Sequence, residues 1–97
     1  MKYEEKPDNE LKNLIDEGFI KPNTKVYASS NEKIEGLLNK DGAIILKIDG
    51  VEKTFPFPSG AARAIVNLNV NGWKFWRIRE NESFVELSEI KKRYLNT

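Results

Sequence analysis

Ninety-seven residues, with 16 Lys and Arg against 15 Asp and Glu and neither cysteine nor histidine, set narrow limits on what this chain can be. A chain this short supports one hydrophobic core, burying about 60–65% of its unfolded surface, and its composition excludes a disulfide framework, thiolate metal sites, a cysteine nucleophile and the commonest general base near neutral pH. The net charge of +1 excludes a global basic field, so any nucleic-acid binding has to come from local charge.

The opening residues Met1 to Lys6 lack the apolar run of a secretory signal, and no stretch of about 18 apolar residues follows anywhere. A cytoplasmic domain without a membrane partner is expected, spanning residues 1–97 as one unit whose first few residues are flexible. Asp8 or Asn9 can cap a first helix whose apolar positions Leu11, Leu14 and Ile15 recur at helical spacing. Gly18, followed by Pro22, supplies the stop signal.

Strand-like runs come next at 25–28, 34–38, 43–48 and 51–55. Asn39-Lys40-Asp41-Gly42 reads as a short loop, and Asp49-Gly50 as a two-residue hairpin turn whose central positions need positive φ. Ile44, Leu46 and Ile48 share one face by the two-residue period, and that face is assigned to the core. Pro56 to Ser59 ends the sheet because proline cannot donate to a ladder, and 60–67 reads as a helix of small residues. Ser59, Arg63 and Asn67, spaced by four, leave one stripe of it polar.

Asn71-Gly72 reads as the next turn, with Asn71 setting its geometry; an amide that reads adenine is the other reading. Residues 73–79 then read as extended, which puts Trp73, Phe75, Arg77 and Arg79 on one face and Lys74, Trp76 and Ile78 on the other. The first face is aromatic and basic, suited to stacking a base and holding its phosphates. Trp76 and Ile78 read better as core anchors. Ser83 to Glu86 has the spacing of a capping box for a final helix with Phe84, Leu87, Ile90 and Tyr94 as its apolar face. The fold class expected is α+β, a small antiparallel sheet packed with about three helices.

Two segments carry the densest signal: Pro58-Ser59-Gly60-Ala61-Ala62-Arg63, and Asn71-Gly72-Trp73-Lys74-Phe75-Trp76. A Pro-Ser-x-Ala-Ala helix start paired with a downstream Asn-Gly-Trp-x-x-Trp resembles the RAMA domain, named for its association with restriction enzymes and adenine methylases. The resemblance extends to Leu14-Ile15-Asp16-Glu17-Gly18-Phe19-Ile20-Lys21-Pro22 before the sheet and to Tyr94-Leu95 near the end. Phe57 stands where the family has a serine before the proline, and Gly60 and Val70 also depart from its pattern. The resemblance implies a noncatalytic accessory domain that binds DNA, including DNA with modified bases such as methylated adenine, alongside a fused or associated nuclease or methylase in a restriction-modification or related defence system.

Physical reasoning bears on the same residues. Ser59 and Gly60 stand at a helix start, where unpaired N–H groups and the dipole favour an anion, with Arg63 one turn on; a plain serine cap is the competing reading. From Ser59 to Arg79 the only charges are Arg63, Lys74, Arg77 and Arg79, and a solvated surface competes with phosphate contact for them. The DNA-binding set expected is therefore Ser59, Gly60, Arg63, Asn71, Trp73, Lys74, Phe75, Arg77 and Arg79, with Pro58, Gly72 and Trp76 shaping or supporting it. No catalytic residue, metal ligand or cofactor is expected, since Glu80 and Glu82 lack any accompanying nucleophile, metal triad or phosphate loop. The rival is a protein-interaction module with Trp73 and Phe75 as anchors.

Overall fold

The structure, a computed structural model of the chain, describes residues 9–96. Helix α1 (Asn9–Asp16) is followed by strands β1 (Thr24–Ala28), β2 (Asn31–Leu38), β3 (Ile44–Ile48) and β4 (Val51–Phe55). Helices α2 (Pro58–Val66) and α3 (Gly72–Phe75), strands β5 (Trp76–Glu80) and β6 (Ser83–Glu86) and helix α4 (Leu87–Leu95) complete the chain. The α+β class expected from the sequence is the class observed. Of the two candidate caps for α1, Asp8 lies outside the described residues and Asn9 is the first residue of the helix itself.

Gly18 ends α1 as its position implies. It sits at φ +84, its N–H donates to the Ile15 carbonyl at 3.1 Å, and the Phe19 N–H reaches back to that of Leu14 at 2.9 Å. These two bonds are those of a Schellman cap, which needs a left-handed residue at this point. Gly18→Ala is accordingly expected to lower stability by about 1 kcal/mol and Gly18→Asn by less, measurable by urea denaturation; equal stability of parent and Gly18→Ala would contradict the cap.

The six strands form one antiparallel sheet in the order β4-β3-β2-β1-β5-β6. Asp49 and Gly50 both have positive φ, 51 and 78, which is the turn that pairs β3 with β4. In the loop before β3, the Asn39 side chain accepts from the N–H groups of Asp41 and Ala43. One face of the sheet is covered. Val26, Ala28, Leu38, Ile44, Leu46, Trp76 and Ile78 meet Leu11 and Leu14 of α1, Ala61 and Ala62 of α2, and Leu87 and Ile90 of α4 in a single core. Ile48 shares that face but is only partly buried.

Three sequence expectations are corrected. Helix α2 begins at Pro58 and not at Gly60: Phe57 is the N-cap, and no side chain caps it. Proline at the first helical position forfeits only an N–H that has no partner there. Residues 73–75 are helical, because the Asn71 side chain accepts from the Trp73 N–H at 3.0 Å and its carbonyl accepts from Lys74 and Phe75. Asn71 is thus the N-cap of a helical turn and not the residue that sets a turn ahead of an extended segment. Finally, Ser83 to Glu86 is a strand, paired with β5 through Glu80↔Ser83, Arg79↔Phe84, Ile78↔Val85 and Arg77↔Glu86. The capping box does not form; Glu86 is the N-cap of α4, and its side chain makes no bond to the helix N–H groups, while Phe84 leaves the helical face for the sheet.

An exposed ion pair ties β5 to α4. The Arg93 guanidinium donates to Glu80 at 2.8 Å, and that bond holds the Glu80 carboxyl below its ordinary range. A carboxyl depressed by folding contributes stability above its unfolded pKa and loses it as pH falls through the folded value.

Candidate nucleic-acid interface

The two motif segments touch. At the start of α2 the buried Pro58 carbonyl accepts a hydrogen bond from the Trp76 indole Nε1–H at 2.9 Å, and Ser59 Oγ accepts from the Gly72 N–H at 3.1 Å. Gly72 lies so close that a Cβ there would fall 2.2 Å from both the Pro58 carbonyl carbon and the Ser59 nitrogen. Its φ is not in the left-handed region, so glycine stands here for a reason other than the positive φ of an Asn-Gly turn: it lets α3 press against the backbone of α2. The Pro-Ser and Asn-Gly-Trp-x-x-Trp elements are therefore the two halves of one packing joint. Ser59 is an interhelix tie and not a helix cap.

Around this joint the expected site residues take different positions. Phe75 is buried at 6% exposure and packs edge-on against Trp76, ring centroids 4.9 Å apart. Trp73 is half-buried against the core, and the Lys91 ammonium, ion-paired with Glu10, lies 5.0 Å from its ring centroid. Gly60 is half-buried with open space where a Cβ would stand, while Arg63, Asn71 and Lys74 are exposed. All of these belong to the helical layer. Arg77 and Arg79 do not: they alternate with the buried Trp76 and Ile78 and so project from the opposite, uncovered face of the sheet. The expected face of Trp73, Phe75, Arg77 and Arg79 does not exist, because the helical turn at 72–75 breaks the two-residue period.

The uncovered face nevertheless has an aromatic and basic patch, in which the expected Arg77 and Arg79 are joined by two rings that sequence reasoning missed. Tyr27 lies directly opposite Arg77 in the β1–β5 pairing, and Phe84 directly opposite Arg79 in the β5–β6 pairing. From either side of β5 the two rings reach toward each other and meet edge-to-face, centroids 5.3 Å apart at 74°. Arg79 Cζ sits 5.9 Å from the Phe84 centroid. The register of β1 against β2 shifts between Tyr27 and Ala28, an irregularity of the kind that re-aims a neighbouring side chain. Only the alternation of Lys25-Val26-Tyr27-Ala28 hinted that Tyr27 faces away from the core, and nothing local revealed which strands would flank β5.

The arginines of this patch have no ion-pair partner among the described residues, as Lys33, Lys47 and Lys53 elsewhere on the sheet have none. Among the described residues, Lys12, Lys25, Lys91, Lys92 and Arg93 are held in ion pairs, whereas Arg63, Lys74, Arg77 and Arg79 are in none. Lys25 and Glu35 neutralise each other at 3.5 Å farther along the same face. Glu86, across from Arg77, accepts the Ser88 hydroxyl at 2.8 Å. Two unpaired arginines beside two rings can bind anions and flat aromatic groups. Among the described residues no three acidic side chains group together as metal ligands, and no helix is long and apolar enough to cross a membrane.

A six-stranded antiparallel sheet with helices on one face, locked by the α2–α3–Trp76 joint, defines a small α+β module. The chain belongs to the RAMA family, Restriction Enzyme Adenine Methylase Associated, whose model matches residues 2–97. No curated protein matches it. The family's description places the domain in association with restriction-modification systems.

Proposed function

We propose that this domain is a noncatalytic DNA-binding module of a restriction-modification or related defence system, and that it meets DNA through the β5 end of its uncovered sheet face. One observation carries the reading: Arg77 and Arg79, without carboxylate partners among the described residues, stand beside a pair of aromatic rings on the uncovered face. Cations so placed gain from releasing the counterions of a nucleic-acid backbone. Family membership supplies the context.

Alanine at Arg77 and at Arg79 is expected to weaken oligonucleotide binding similarly across sequences, each substitution lowering the slope of log affinity against log salt by about 1. Arg63→Ala, on the opposite layer, is expected to leave that slope unchanged. A folded Arg77→Ala/Arg79→Ala double variant that binds as the parent does at several salt concentrations would overturn this placement. Loss of affinity in Arg63→Ala alone would move the site to α2. Salt-insensitive binding would instead favour a protein partner.

The finer reading is that the module prefers modified DNA, such as DNA carrying methylated adenine. A methyl group adds little apolar area, so a preference on the order of 1 kcal/mol is expected, with most affinity remaining electrostatic. Titration with matched methylated and unmethylated oligonucleotides tests it; equal affinity would reject modified-base reading and leave DNA binding intact.

A further inference from the structure

We infer that the strand bound on this face is unpaired: Tyr27 and Phe84 form a stacking platform for bases that are out of the duplex. The inference rests on the DNA-binding reading and adds the class of DNA. Six strands at a spacing of about 4.8 Å make a face about 24 Å wide, and the shortest dimension of the domain is 21 Å. A major groove about 12 Å wide admits a helix or a two-stranded ribbon but not such a face. Laid against a duplex, the sheet would touch phosphates with Arg77 and Arg79 while both rings stayed out of reach of any base. The rings gain a partner only when a base presents its flat side.

The layout of the patch suits that partner. Tyr27 and Phe84 meet over β5 at 74°, so each ring braces the other edge-on and only one can lie parallel to a given base. Arg77 stands level with Tyr27 and Arg79 level with Phe84 on the same strand, roughly 7 Å apart by the strand repeat, so a chain of nucleotides laid across the rings finds a cation beside each. Arg79 over the Phe84 ring adds a planar guanidinium to the surface on which a base can stack.

The test is a titration of the full chain with three fluorescently labelled oligonucleotides of common sequence, at one salt concentration: a single strand, its blunt duplex, and the duplex with a one-nucleotide bulge. The single strand is expected to bind at least about tenfold more tightly than the blunt duplex, with the bulged duplex between them. Tyr27→Ala and, as a gentler change that keeps apolar bulk, Phe84→Leu are each expected to remove most of that advantage while leaving duplex affinity nearly as it was. Folding of both variants is checked by circular dichroism. Equal or tighter binding of the blunt duplex would overturn the inference and leave DNA binding standing, as would a single-strand preference that survives in a folded Tyr27→Ala or Phe84→Leu variant. Failure to bind any of the three would overturn the DNA-binding reading as well.

Discussion

Gly72→Val is expected to destabilise the domain by about 3 kcal/mol or more, and even Gly72→Ala to cost nearly as much. The Cβ of either residue would lie 2.2 Å from the Pro58 carbonyl carbon and the Ser59 nitrogen, and those are backbone atoms of a helix start that cannot swing aside as the end of a long side chain can. Helix α3 would have to lift off α2. That movement stretches the Gly72 N–H bond to Ser59 and the Trp76 indole bond to Pro58 together. The comparison with asparagine identifies the cause. Were positive φ the reason for glycine here, Gly72→Asn would be tolerated much better than Gly72→Ala; close approach makes asparagine no better than alanine. Gly60→Ala is the control, since a Cβ there meets nothing within 4 Å and alanine favours the helix. Thermal melts of the four variants are sufficient, and a parent-like melting temperature for Gly72→Ala would refute the packing joint.

The local signals that read correctly in the sequence are those whose meaning is settled within a few residues. Asp49-Gly50 is the positive-φ turn it resembles, Gly18 ends its helix, and the alternation of Ile44 and Leu46 names the buried face of β3. The errors share one origin. Asn-Gly has two uses, a hairpin turn or a cap followed by a small residue, and the choice at Asn71 is made by the start of α2, where Ser59 Oγ takes the Gly72 N–H from thirteen residues upstream and the backbone comes close to Gly72. Ser83-x-x-Glu86 has capping-box spacing, yet Val85 finds Ile78 across the β5–β6 pairing, and that burial outweighs a cap. Both errors propagate to the candidate site. Helical geometry through 72–75 removes Trp73 and Phe75 from the arginine face, while Arg77 and Arg79 keep their parity because the chain is extended from Trp76 onward. Tyr27 and Phe84 came to the patch through strand order, with β5 inserted between β1 and β6, and no periodicity within a segment encodes which segments become neighbours.

Trp76 is the other position where a large effect is expected, because it combines the largest fully buried side chain with a buried hydrogen bond. Trp76→Ala is expected to cost about 3–5 kcal/mol through lost apolar burial and the cavity left beside Phe75, a large part of the total for a domain of about 5–15 kcal/mol stability. Trp76→Phe retains much of the ring but removes the indole donor to the Pro58 carbonyl, which keeps its place in the first turn of α2, and about 0.5–1.5 kcal/mol is expected for the lost hydrogen bond. Urea denaturation measures both. A Trp76→Phe midpoint equal to the parent's would show that the indole bond adds nothing to the contact. The more searching measurement is the double variant Gly72→Ala/Trp76→Phe. If the two residues serve one joint, Gly72→Ala already separates Trp76 from Pro58, and adding Trp76→Phe should cost clearly less than it does alone, a coupling on the order of 1 kcal/mol. Simple additivity would mean that Gly72 and Trp76 stabilise the fold independently, and the pairing of the two motif segments would then need a reason other than their packing.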